Sequence, residues 1–439
     1  MTLRQHINKH IHLATPVVIG QLGHIMVSVA DTAMVGQVGV IPLAGATFAG
    51  TIYHVMMLFG IGVSYAITPL VAATKPTDRT KHLHFLQNGL LLNTIIGFLL
   101  FGAMMALVPA MGLLGQQTEV VDAARPFLIV VGSSILPLMI FQTYRQYAEG
   151  LSNTYDPMVV SIVANLINIA LNYVLIFGHF GFPAMGLMGA AYATLISRVL
   201  MSVFMMAIIY KSWIGFQFRF ELDAVRRLFK IGFPSGLQYV FEVGAFAVST
   251  IMMGWISAEA IAAHQIALNL SSVTYMAATG IAAASTVRIG NQLGARDFTN
   301  LRLAGLTGFG LVTIFMAVCG LFFILFRQEL TALYIDEVEV QLLASSLLII
   351  AAGFQISDGL QAVGLGVLRG LTDVKVPTLI TFVAYWVISI PLGYVLAFEL
   401  DMGPTGVWIA LSAGLSLSAI LHIMRFRKKL TRLKVELSK

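Results

Sequence analysis

The chain has 439 residues, 58% of them hydrophobic and only 10% charged, against roughly 25% charged in an ordinary soluble domain. A soluble core of this size would still need a charged skin, so lipid must be the solvent for most of the surface. The formal net charge of +6 does not point to nucleic acid, because the basic residues are spaced along the chain in a pattern that sets membrane topology.

A membrane-spanning helix needs about 20 mainly apolar residues. Twelve such stretches follow one another, at 13–37, 43–73, 85–108, 122–145, 157–178, 185–210, 231–255, 260–284, 303–326, 338–368, 376–398 and 405–424. Two of them, 43–73 and 338–368, are longer than a crossing and must tilt, bend or protrude. A β-barrel would alternate apolar and polar residues over strands of about ten. Runs such as Leu90–Leu107 and Leu342–Gly353 do not alternate, so the expected fold class is an all-α membrane protein.

In chain order, Met1–His10 is polar and short, and no small-residue cleavage site follows it; no signal peptide is expected. The first span carries Pro16 and Asp31. Basic residues lie at the N-terminus (Arg4, Lys9) and then in the links after the even-numbered spans. These are Lys75, Arg79 and Lys81; Arg145 at a helix end; Lys211, Arg219, Arg226, Arg227 and Lys230; Arg288, Arg296 and Arg302; and Arg369 with Lys375. Seven more lie between Arg425 and Lys439, while the alternate links are nearly bare, with Arg125 and Arg327 near helix ends as exceptions. This is the positive-inside pattern with both termini cytoplasmic, and on this reading no Lys or Arg sits in mid-membrane.

Three acids interrupt the apolar spans: Asp31, Glu242 and Asp358. A carboxylate at the bilayer centre costs about 2.5–3.5 kcal/mol even on the lenient insertion scale. They are expected to face an internal cavity and bind protons or metal cations such as Na+; the alternative is a neutral acid hydrogen-bonded between helices. Asn168 and Asn172 are four apart and share a face of the fifth span, with Asn165 a turn earlier and Thr194 in the sixth. With Asp31 they offer the hard oxygen donors that an alkali cation or hydronium prefers, and equally the groups that tie helix to helix.

In the second half, Glu242 follows Pro234 by eight residues, with Gln238 one turn before it, and Gln355, Asp358 and Gln361 step by three along one face. Two carboxylates from different helices could share a proton or hold one cation. Prolines 16 and 234 are hinge candidates, since each removes a backbone bond. The twenty-one methionines suit a pliable pocket, or plain packing. Tyr239, Phe241, Tyr275 and Trp386 are aromatics able to stack on an organic cation.

The two halves repeat. A shift of 218 lays Pro16 on Pro234, Met34 on Met252, Gly36 on Gly254, Ala44 on Ala262 and Gly62 on Gly280. A shift of 220 lays Gly150-Leu151 on Gly370-Leu371 and Pro157 on Pro377, and a shift of 221 lays Tyr173-Val174-Leu175 on Tyr394-Val395-Leu396 and Phe177 on Phe398. Each half then has six helices, an even number, so the repeat is parallel. The expected division is an N-lobe of residues 1–218 and a C-lobe of 219–439, enclosing a cavity with alternating access. The single cysteine, Cys319, excludes an intrachain disulfide, and no GxxxxGK[ST] or HExxH motif occurs. His264 is expected to be structural. Neither an enzyme nor an ATPase is indicated, and an ion gradient is left as the energy source.

The stretch Pro16…Gln21…Asp31-Thr32-Ala33-Met34-Val35-Gly36…Leu43-Ala44 resembles the first helix and loop of multidrug and toxic compound extrusion (MATE) transporters. So do Gly232-Phe233-Pro234…Glu242…Gly254…Ala262-Ala263-His264-Gln265-Ile266, Arg288-Ile289-Gly290-Asn291-Gln292-Leu293-Gly294-Ala295 and Arg369-Gly370-Leu371-Thr372-Asp373…Pro377. The resemblance covers essentially the whole chain. It implies a V-shaped pair of six-helix lobes and antiport of organic, mostly cationic and aromatic drugs against Na+ or H+, with no further cofactor. Glu242 resembles the seventh-helix acid of the NorM-type branch, where it forms a second-lobe cation site with the acid matching Asp358. Asp31, Asn168, Asn172 and Thr194 resemble the first-lobe site of the wider family, some members of which have Asp at the position of Asn172. Phe354 stands where some NorM-type members have Tyr.

Candidates for lining a substrate cavity are Gln21, Gln238, Tyr239, Gln265, Gln355 and Gln361. The expected protein is a monomeric multidrug exporter of the inner membrane that binds small organic cations and no nucleic acid. A flippase for a lipid-linked precursor is the alternative, disfavoured by the apparent lack of mid-membrane basic residues. An ion channel or receptor is a third reading, against which the paired lobes and buried acids speak.

Overall fold

The computed structural model describes residues 1–210 and 220–437. Lys211, Arg219 and the lobe boundary expected at 218/219 lie outside the described residues. Among those described there is no strand, and twelve helices are long and apolar enough to cross a membrane. They are α1 (Leu3–Gly36), α2 (Val40–Ala72), α3 (Arg79–Leu107), α4 (Thr118–Gly150), α5 (Tyr155–Phe177), α6 (Leu187–Ile209), α7 (Leu222–Ile256), α8 (Ala258–Gly294), α9 (Phe298–Leu325), α10 (Val338–Gly370), α11 (Lys375–Glu399) and α12 (Gly403–Leu437). The protein is a multi-pass membrane protein, and its helices follow the order of the twelve sequence-derived spans.

Local sequence accounts for where helices start and break. Asp78, Ser257 and Asp297 cap α3, α8 and α9, accepting from the backbone N–H of Lys81, Ala260 and Asn300 at 3.1, 3.1 and 3.0 Å. Helix α2 is interrupted at Tyr65 and Ala66 because Pro69 has no N–H to give the Tyr65 carbonyl. Pro137 does the same to Ser133, breaking α4 at Ser134. Around Pro391, α11 widens to π turns over Val383–Ser389 and Val395–Glu399.

The lipid-facing surfaces are legible as stripes. On α9, Ile314, Val318, Leu321 and Leu325 are exposed at steps of four, three and four, while Val312, Met316 and Phe323 on the other side are buried. In water such a stripe would be a liability; in hydrocarbon it is the matching surface.

The chain forms two compact units, one of Met1–Val18 with Leu237–Lys439, the other of Ile19–Gly236. The divisions fall inside α1, just after Pro16, and inside α7, just after Pro234. The beginning of each of these helices therefore packs in the unit that does not contain its remainder. In the first unit Arg288 of α8 grips the start of α1, donating to the His6 carbonyl and to Nδ1 of His6 and His10, each at 2.6 Å. Both imidazoles accept at Nδ1, so Nε2 carries the proton and reaches Asn300 Oδ1 (3.0 Å) from His6 and Ser285 Oγ (3.3 Å) from His10. These buried polar contacts explain why α1 begins ten residues before the apolar span expected at 13.

The repeat is visible in backbone detail. Ser152 and Thr372, related by the shift of 220, both adopt left-handed φ, at 65° and 57°. Each N–H closes a turn at 2.8 Å, on Glu149 and Arg369, and the next residue bonds back to Ala148 and Leu368 at 2.9 Å. A Cβ at Gly62 would lie 2.6 Å from Gly236 Cα in one unit, and one at its repeat partner Gly280 would lie 3.1 Å from the Ala14 carbonyl in the other. Small residues at these crossings let the backbones meet.

Helix α10 is the axis of the first unit, packed between α8, α9 and α12, and Asp358 is buried for that reason. It crosses α8 closely at Gly366, where a Cβ would sit 2.4 Å from the Ala282 carbonyl oxygen. Gly366→Ala is expected to cost about 1–3 kcal/mol by overpacking, seen as a fall of several degrees in the melting temperature of detergent-purified protein. Gly353→Ala on the same helix, where a Cβ meets nothing within 4 Å, is expected to leave the melting temperature unchanged or slightly raised.

Candidate functional site

In the unit of Ile19–Gly236, Asp31 sits on α1, half-buried, opposite the polar faces of α5 and α6. The four-residue spacing puts Asn168 and Asn172 on one face of α5. Asn172 Nδ2 donates to Asp31 Oδ1 and, at 3.1 Å, to Asn168 Oδ1, and Asn168 Nδ2 continues to Ser197 Oγ on α6 at 3.3 Å. The Oδ1 of Asn172 is buried without a donor, an orphaned acceptor beside a carboxylate. Thr194 gives its hydroxyl proton to the Ala190 carbonyl at 3.0 Å, so its oxygen lone pairs remain available. Asp31, Asn168 and Thr194, with Asn165 and Gln21, line one cavity of about 250 Å³.

The same cavity corrects the expectation of spans free of basic residues. Arg198 lies in the middle of α6 and lines it. Its Nη1 donates to the hydroxyls of Tyr53 and of Ser134, the latter at 2.6 Å, and its guanidinium lies 4.8 Å from the centre of the Tyr53 ring. The break that Pro137 makes in α4 falls at this Ser134. A guanidinium in mid-membrane is tolerated where phenol, hydroxyl and a π-face replace water. The signal was in the sequence, a lone Arg within the apolar span 185–210, and a tally of the links alone passes over it.

In the other unit, Glu242 on α7 and Asp358 on α10 are 6% and 5% exposed, and neither forms an ion pair among the described residues. Tyr275 of α8 donates its hydroxyl to Glu242 Oε1 at 3.0 Å. Gln361 Oε1 accepts from Tyr385 at 3.0 Å, and the Gln355 amide is bonded to Thr274 at 2.7 Å. Gln238 is buried, Tyr239 half-buried and Gln265 exposed. Phe354 is 3% exposed and packs on Trp408 at 5.6 Å, so that position supplies no oxygen. Trp408 Nε1 donates to His264 Nδ1 at 3.1 Å, while His264 Nε2 meets Thr250 Oγ1 at 3.1 Å, a structural tie with no free ring nitrogen. Among the described residues no three His, Cys, Asp or Glu side chains gather as a metal cluster. Any cation held here therefore rests on one or two carboxylates plus neutral oxygens.

Twelve apolar helices in two repeated units, with acids inside them, define a membrane transporter built on an internal duplication. The family model described as MatE matches residues 16–174 and 234–395, one segment in each half. The chain belongs to that family. It is 33% identical over 444 residues to the multidrug resistance protein NorM of Photobacterium profundum, covering 97% of this chain and 96% of that one. It is also 33% identical to the multidrug resistance protein MdtK of Yersinia pseudotuberculosis over 437 residues, 94% of each. Its fold matches the eukaryotic MATE transporter AtDTX14 with a TM-score of 0.87 at 20% identity, over 99% of both chains. It matches an outward-facing multidrug resistance MATE transporter with a TM-score of 0.90 at 19% identity, over 98% of this chain and 97% of the other. These relatives are transporters, and the chain is a multidrug-transporter homologue with small molecules as its substrate class, not an enzyme.

The bond between Asp31 and Asn172 is expected to couple the two side chains energetically. In a double-mutant cycle of Asp31→Ala and Asn172→Ala, melting temperatures in detergent should give a coupling of at least about 0.5 kcal/mol. Additive effects would show that the carboxylate and the amide act independently.

Proposed function

We propose that this protein exports organic, mostly cationic and aromatic compounds across the cytoplasmic membrane in exchange for Na+ or H+. The observation that carries the reading is the set of three carboxyls, Asp31, Glu242 and Asp358, held within apolar helices with no ion pair among the described residues. Such acids inside a membrane mark ion or substrate pathways. Each can neutralise one positive charge at a time, so an incoming cation and an outgoing organic cation compete for it, and that competition is the coupling. Asp31 with the oxygens of Asn168, Asn172 and Thr194 supplies hard ligands of the kind Na+ takes. Glu242, Asp358 and the Tyr275 hydroxyl suit a proton passed between two carboxyls.

Other features fit the same reading. Basic residues in alternate links support an inner-membrane protein with both termini in the cytoplasm. Pro16 and Pro234 lie at the points where α1 and α7 pass from one compact unit to the other, a position suited to a hinge. Nothing in the chemistry asks for a cofactor beyond the coupling ion, nor for a second chain, so the protein is taken to act as a monomer.

The test is efflux of a fluorescent organic cation from proteoliposomes under a Na+ gradient or a pH gradient imposed separately. One of the two gradients is expected to drive flux, and Asp31→Asn, Glu242→Gln and Asp358→Asn are each expected to lower it at least tenfold with insertion intact. Full export by all three variants would sink the coupling role of the acids. A lipid-precursor flippase is the second reading, and Arg198 is the observation in its favour, since an anionic headgroup needs a cationic partner. A headgroup-flipping assay with the purified protein separates the two.

A further inference from the structure

Helix α12 does not stop where its apolar span ends, at 424, but continues to Leu437. The extension is docked on its own unit. His422, Phe426 and Leu430, at steps of four, are buried along its inner side. His422 Nε2 lies 3.4 Å from the Pro377 carbonyl, and the Phe426 ring packs on Phe309 with centroids 5.9 Å apart. Arg425 clamps Asp373 with two bonds, from Nε at 2.7 Å and from Nη2 at 3.2 Å, and Lys429 reaches the same carboxylate at 3.6 Å. The inner side therefore fixes the helix and consumes the acid it meets.

The outer side is different. Ile420 and Met424, four apart, are 55% and 59% exposed, an apolar stripe suited to lipid tails. One turn further on, the same stripe turns basic, with Arg427, Lys428 and Lys434 in line and Arg432 on its flank. All four are exposed, and none forms an ion pair among the described residues. Arg427 and Lys428 lie about 5 Å along the axis beyond Met424 at 1.5 Å per residue, the depth of the headgroup layer just outside the hydrocarbon. Cations at that depth attract anionic headgroups, and the attraction fades within a Debye length. We propose that the outer face of α12 over residues 420–434 binds an anionic glycerophospholipid, with an acyl chain along Ile420 and Met424 and the phosphate at Arg427, Lys428 and Arg432. Membrane topology asks only for positive charge beyond the span; it does not ask for a docked helix that carries the charge in line with an apolar stripe. Because the inner side is bonded, the cations are in place before the lipid arrives, and little ordering is left to offset on binding. A zwitterionic lipid brings its own ammonium and has no net charge to offer them. Export of any particular substrate is not needed for this surface to act.

The experiment is native mass spectrometry of the full detergent-purified chain, titrated with palmitoyl-oleoyl phosphatidylglycerol or with phosphatidylcholine of the same acyl chains. Wild type is expected to hold phosphatidylglycerol about tenfold or more tightly than phosphatidylcholine. The triple variant Arg427→Gln, Lys428→Gln and Arg432→Gln should raise the apparent Kd for phosphatidylglycerol about tenfold or more, and that for phosphatidylcholine by less than twofold. A matched triple at the start of α7, Arg226→Gln, Arg227→Gln and Lys230→Gln, removes as many exposed cations and should change either Kd by less than about twofold. The single changes Lys428→Gln and Arg432→Gln break no ion pair and should each weaken phosphatidylglycerol by about fivefold, so the test stands even where the triple variant does not fold. Equal binding of the two lipids by wild type overturns the proposal, as does undiminished phosphatidylglycerol binding in the α12 variants or an equal loss in the α7 triple. Displacement of phosphatidylglycerol by glycerol phosphate at the same concentration would give the surface to soluble phosphates and also overturn it.

Discussion

A charged group inside a bilayer must find within the protein what water would otherwise give it, and this constraint organises both units. The three acids and Arg198 are charged side chains set within apolar helices, and Asp31, Glu242 and Arg198 each meet groups that replace hydration. Asp31 takes the Asn172 amide, Glu242 takes the Tyr275 hydroxyl, and Arg198 takes the Tyr53 and Ser134 hydroxyls with the Tyr53 ring face. Arg145, on the same cavity wall, is by contrast neutralised by direct contact with Glu149. A compensated pair of that kind is stable and chemically idle. The single charges are neither, and a transporter needs groups whose partners can be exchanged.

The backbone serves the same end. Proline removes one helix bond at a time, and in α4 the interruption falls where a neighbouring side chain uses it: the break at Ser134 presents the hydroxyl that holds Arg198. Glycine acts differently, by letting backbones approach. Gly62 against Gly236 and Gly280 against Ala14 are the same crossing made twice, once in each unit, and each joins the beginning of one half's first helix to the second helix of the other half. That exchange makes α1 and α7 the two continuous helices shared between the units, with their prolines at the transfer points.

Much of this was legible in the sequence. Twelve apolar runs gave the helices, since in lipid the hydropathy of the helix interior and the lipid-facing surface have the same sign. Aligned prolines, glycines and the Gly-Leu turns gave the duplication, and those residues are constrained by backbone geometry, which outlasts divergence of side chains. The buried acids stood out because a carboxylate has so few reasons to lie in an apolar run. What was not legible follows from the same logic. The first ten residues read as polar, yet His6 and His10 are fully buried by Arg288, a partner 278 residues or more away in sequence. Arg198 was missed because basic residues were read for topology, and a topological tally looks at links. The buried state of Gln355 and Gln361, which an i, i+3 spacing cannot distinguish from a cavity face, is set by α10 being enclosed on several sides.

The duplication preserved the frame but not the charges. At the register that lays Pro16 on Pro234, Asp31 falls on Ser249 and Glu242 falls back on His24. Ser249 is buried and donates to the Ala245 carbonyl at 2.9 Å, so it is a satisfied helix residue and no counterpart of an acid. Carried on to the sixth helices, Arg198 falls on Ala419, which is buried in the other unit. One unit thus keeps a carboxylate, amides and a guanidinium, and the other keeps two carboxyls and a set of phenols. Two identical sites would bind the same ligand twice. On the proposed exchange reading, two unlike sites on one repeated scaffold would let a substrate and a coupling ion be read by different chemistry, while the helices α1 and α7 run through both units.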